Sequence, residues 1–126
     1  MVSGDASHEP GKDDYQRKNM NEIQKIQKWY QAQCNGDWEH RYGIEIESLD
    51  NPGWKVVIDL TETELEKSEF KKSGYGVGGD CQTSGNNWLL CQKAGDKFVG
   101  VGGPEKLAEI LNAFLNWIET EKSEPI

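Results

Sequence analysis

Long apolar runs are absent from this chain. Nothing approaches the roughly 18–20 consecutive apolar residues that a membrane span requires, and the mean hydropathy is -0.81. Nor does the N-terminus carry an apolar core of about 7–15 residues like that of a secretory signal, so the expectation is a cytoplasmic protein with no membrane partner. Cysteine is scarce: Cys34, Cys81 and Cys91 make an odd set without a C-x-x-C pair. That argues against a closed disulfide framework and suits reduced thiols. With only two histidines, four Cys/His ligands in paired spacing are missing as well, so no structural metal is expected. Positive charge is in deficit, 14 Lys and Arg against 22 Asp and Glu for a net of -8. Such a balance repels phosphate backbones and disfavours direct nucleic-acid binding. No G-K-[ST] phosphate loop is present, and no cofactor is expected.

What is present suits one folded domain. A length of 126 residues falls in the range of about 100–200 typical of a single domain. Five Trp, four Tyr and three Phe argue against wholesale disorder. The acidity is concentrated: residues 37–69 hold ten acids and three bases, net -7, whereas residues 1–36 balance at zero. A segment this negative either keeps a small surface solvated or favours a basic protein partner by complementary potential.

Residues 1–18 mix Gly, Pro, Ser and charges without apolar periodicity and read as a flexible tail, which leaves 19–122 as the domain. Asn19 and Glu22 have the spacing of a capping box, and Ile23, Ile26, Trp29 and Tyr30 recur at helical spacing, predicting a helix over 20–34 that stops at Asn35-Gly36. Alternation then sets in. Tyr42, Ile44 and Ile46, followed after Asn51-Pro52-Gly53 by Trp54, Val56, Ile58 and Leu60, make one buried face of a β-hairpin, with Glu45, Glu47 and Asp59 on the other and Lys55 its single basic exception. A weak strand at 70–75, a hairpin over 87–101 and a helix opening at Pro104 complete the pattern. Leu107, Ile110, Leu111, Phe114, Trp117 and Ile118 form that helix's stripe. The predicted fold is α+β: an antiparallel five-stranded meander sheet flanked by an N-terminal and a C-terminal helix.

Three reactive arrangements are possible, each with a plainer reading beside it. Gly100-Val101-Gly102-Gly103-Pro104 precedes a helix as phosphate loops do, but Pro104 removes a donor and Glu105 places negative charge there, so a tight strand-to-helix connection is favoured. Cys81 in its Gly-rich loop is the best candidate for a thiol enzyme of sulfurtransferase type. Its neighbour is Asp80, however, and no base lies close in sequence to stabilise a thiolate, which favours an ordinary surface thiol. Cys34, Asp37, Glu39 and His40 are all possible ligands, yet they make an incomplete set for a metal. Trp38, between two acids, is read first as an anchor onto the core and second as a binding residue.

The run Cys34-Asn35-Gly36-Asp37-Trp38-Glu39-His40, then Tyr42-Gly43-Ile44, then Leu49-Asp50-Asn51-Pro52-Gly53-Trp54 and Asp59-Leu60 resembles the immunity protein 53 family of bacterial polymorphic toxin systems. Gly102-Gly103-Pro104 and the Leu/Ile/Phe/Trp helix extend the resemblance, which covers roughly residues 22–120. It implies a non-enzymatic cytoplasmic protein that binds and blocks a cognate bacterial toxin domain. A nuclease is one such target, since nucleases present basic surfaces; the alternatives are the Cys81 thiol enzyme and a non-inhibitory adaptor domain. The expected toxin contacts are Trp38, Glu39, Glu45, Glu47, Asp59, Glu62 and Glu64.

Overall fold

The computed structural model describes residues 20–77 and 85–122. Helix α1 (Glu22–Gln33) begins at a capping box in which the Asn21 side chain accepts from the Gln24 amide at 2.9 Å and the Gln24 side chain accepts from the Asn21 amide at 3.0 Å. The cap is therefore Asn21 and not Asn19, because its side chain faces the orphan amide three residues on. A single turn, α2 (Trp38–Arg41), leads into the edge strand β1 (Ile44–Leu49), and a turn at Asn51-Pro52, cis, reverses the chain into β2 (Gly53–Asp59). Three further strands follow: β3 (Ser73–Tyr75), β4 (Leu89–Ala94) and β5 (Lys97–Gly102). Helix α3 (Leu107–Lys122) closes the described chain. It starts after Pro104, whose carbonyl instead accepts the Trp54 indole N–H at 2.9 Å.

All five strands are antiparallel in one open sheet with helices at both chain ends, the α+β class read from the pattern. Their order is β1-β2-β5-β4-β3 rather than a sequential meander. The β1-β2 hairpin joins the β3-β4-β5 unit through β2 against β5, in a register that sets Val57 opposite Val99 and Ile58 opposite Phe98. Strand β5 becomes central because both of its faces are suited to burial or half-burial: Phe98, Gly100 and Gly102 face the helices, while Val99 and Val101 line the other side.

The connection 60–72 passes the turn end of the β4-β5 hairpin and is tied there. Leu60 donates its amide to the Asp96 carbonyl at 2.8 Å, and the Lys93 ammonium donates to the carbonyls of Glu66 at 2.7 Å and Ser68 at 2.6 Å. Leu65 is fully buried in this segment, and Trp117 reaches its end by donating to the Glu69 carbonyl at 3.1 Å.

Helix α3 lies on β2, β4 and β5, and α1 packs against α3, so the core forms on one face of the sheet. Phe114 sits at its centre, edge-on to Trp29 at 5.0 Å and 5.2 Å from Phe98, while Phe70 bridges Phe98 and Trp117. Gly100 lets the helix come this close. A Cβ there would meet Cγ2 of Ile110 at 2.4 Å.

Candidate protein-binding surface

The residues expected to contact a partner fall into three groups once folded. Trp38 belongs to the core: it is 1% exposed, its indole N–H donates to the Thr61 carbonyl at 2.8 Å, and its ring meets Trp29, Tyr30 and Tyr42. It therefore anchors α2 onto the core, the first of its two readings, and almost none of its surface is exposed. Glu39, one residue on, spans the preceding loop and accepts the Asn35 and Gly36 amides at 2.9 Å each. Its own backbone amide, with those two, holds its carboxyl below the usual range.

Asp59, Glu62 and Glu64 are engaged within the chain. Asp59 accepts the Gly43 amide at 2.9 Å and pairs with the Lys97 ammonium, and that bond raises the lysine's pKa. Glu62 shares the Arg41 guanidinium with Asp37, each at 2.9 Å. Glu64 accepts the Trp29 indole N–H at 3.0 Å and borders a groove of about 890 Å³ between α1 and α3, lined also by Lys25, Lys28 and Lys122.

Glu45 and Glu47 form the third group. Both are exposed on β1, on the sheet face away from the helices, and among the described residues neither side chain makes a hydrogen bond or ion pair. Glu45 adds in a minor way to the field that raises Lys97, which is committed to Asp59, and Lys55 stands directly opposite Glu47 on β2. The acidic segment of the sequence is thus largely used in local structure, and its uncommitted charge stands along the sheet edge. Behind it the same face carries the half-buried Val57, Val99, Val101 and Leu90 with no helix over them among the described residues.

Ile46 departs from its expected burial. It lies on the helix-facing side opposite Val56, yet is 42% exposed, because β1 is an edge strand outside the three strands, β2, β4 and β5, on which α3 lies. Alternation in the sequence predicted its face correctly, but strand order decides whether that face is covered, and order leaves no mark at Ile46 itself.

Two of the three reactive arrangements fall among the described residues. The Gly103 amide is spent on the Trp88 carbonyl at 3.1 Å, as expected of a tight connection. Cys34 directs its thiol to the Tyr30 carbonyl at 3.4 Å, and no metal-holding group of His, Cys, Asp and Glu occurs among the described residues. Cys91 is buried under α3, and desolvation, with the Glu109 charge second, pushes its thiol up to about 11. Cys81 lies outside the described residues, as does the tail 1–18. No described helix is long and apolar enough to cross a membrane.

The sequence model of the family described as immunity protein 53 matches residues 23–119, from the first turn of α1 to near the end of α3. The chain belongs to this family. Searches of curated proteins and of solved structures find no match. The matched span takes in the whole sheet, both long helices and the acidic segment, so the family's defining sequence and the fold described here coincide.

Proposed function

We propose that this immunity protein neutralises a cognate bacterial toxin domain by binding it and occupying its surface, without catalysis of its own. Membership of an immunity-protein family carries the reading, and the uncommitted carboxylates of Glu45 and Glu47 on an exposed edge give it a physical form. The partner is a basic protein domain, a nuclease being one kind that fits, and the encounter takes place in the cytoplasm. Opposite potentials speed association and fix orientation. Glu62 and Glu64 extend the negative field beside the first hairpin while being held by Arg41 and Trp29. The domain read from the sequence over 19–122 acts as one binding unit.

Co-expression with the toxin encoded by the adjacent gene tests this: growth should be rescued and a complex should co-purify. Glu45→Lys combined with Glu47→Lys should slow association severalfold at low salt while leaving the fold intact. Saturable turnover of a substrate by the isolated chain would overturn the reading.

A further inference from the structure

Strand β1 ends the sheet, and its pairing with β2 determines which backbone groups it leaves free. The Asp59 amide donates to the Gly43 carbonyl at 3.0 Å, and the register runs from Ile44 opposite Ile58 to Leu49 opposite Gly53. In an antiparallel pair the residues that exchange hydrogen bonds alternate with those that do not. Glu45, Glu47 and Leu49 therefore direct their N–H and C=O groups to β2, whereas Ile44, Ile46 and Ser48 direct theirs outward, where no strand lies among the described residues.

Edges are normally blunted by shortness, proline, a bulge or a covering element. Here the edge runs six residues in unbroken register, without proline, and is exposed over its central four. Only the charges of Glu45 and Glu47 guard it. On one side of the strand Ile46 overhangs uncovered; on the other stand the two free carboxylates.

We infer that this edge receives a strand of the toxin domain by strand addition, with apolar residues facing the Ile44 and Ile46 side and Lys or Arg facing Glu45 and Glu47. The inference rests on the proposed toxin binding and names its mode. Backbone hydrogen bonds to Ile44, Ile46 and Ser48 supply affinity, and the alternating side chains supply selection.

A second copy of this chain is rejected by the same geometry. Edge-to-edge antiparallel pairing brings outward-bonding residues opposite one another, and the registers that pair most of the edge (Ile46 opposite Ile44, Ile46 or Ser48) each set Glu45 or Glu47 against a glutamate of the other copy. Like charges directly opposite destabilise a pair, and a basic strand reverses the sign.

Amide hydrogen exchange on the complex with the catalytically inactivated toxin domain is the decisive measurement. In the free chain the amides of Glu45 and Glu47 should already be protected and those of Ile46 and Ser48 should exchange rapidly; in the complex the second pair should slow by about tenfold or more. Ile46→Pro removes one outward N–H and leaves the β2 ladder whole, a substitution that edge positions tolerate, and should weaken binding about tenfold. Should that variant fail to fold, exchange on the unmodified protein decides alone. A complex that forms without new protection at Ile46 and Ser48 overturns strand addition and leaves toxin binding standing. No complex at all overturns both. Protection that grows with concentration in the free chain assigns the edge to self-association and overturns the inference.

Discussion

Trp38 shows how a residue in an acidic, polar stretch can be structural. Flanked by Asp37 and Glu39, it is drawn inward because its ring joins Trp29, Tyr30 and Tyr42 and its one polar atom finds the Thr61 carbonyl. Trp38→Ala should cost about 3–5 kcal/mol in urea denaturation, with Trp38→Phe retaining toxin binding as long as it stays folded. Glu39 acts beside it through charge. Backbone amides lower its folded-state pKa below the unfolded value, so the unfolded chain binds more protons and stability rises with pH. The contribution is complete above the ordinary carboxylate range and disappears as pH falls through the lower, folded value. Glu39→Gln should therefore lose less stability than the parent chain between about pH 5 and pH 3, which denaturation curves at several pH values will measure.

At the scale of elements, the seating of α3 on β5 decides the architecture. Gly100 presents no side chain where Cγ2 of Ile110 descends, and the helix stripe of Ile110, Phe114 and Trp117 then meets Phe98 and Phe70. Gly100→Ala places a methyl in that contact and should destabilise the fold by about 1–3 kcal/mol, visible as a lower denaturation midpoint with an unchanged slope. The hairpin at Asn51-Pro52-Gly53 and the helical stripes of α1 and α3 were legible from local periodicity, since each depends on neighbours within a few residues. Pairing of β2 with β5 was not. Its partners are far apart in the chain, and the 60–72 connection between them is pinned by Lys93, a residue whose charge gave no hint that its ammonium would hold two backbone carbonyls.

For the whole molecule the central quantity is where the charge of -8 resides. The acidic segment 37–69 was visible in composition, but its carboxylates divide in the folded chain among a loop bridge, ion pairs with Arg41 and Lys97, an indole contact and the exposed edge. Association with a basic toxin domain should consequently slow as ionic strength rises from about 0.01 to 0.15 M, over which the screening length shortens from about 30 to 8 Å. Stopped-flow mixing should show this decline in the parent chain and a flatter dependence in Glu45→Lys with Glu47→Lys.

Sequence alone determined the class of fold, the helix stripes, the first hairpin and the family, because these depend on residue types at short spacing. Tertiary structure decided the strand order, which partners take in Trp38, and the exposure of Ile46. Each of those depends on which surfaces from distant parts of the chain exclude water together, and local spacing carries no record of that.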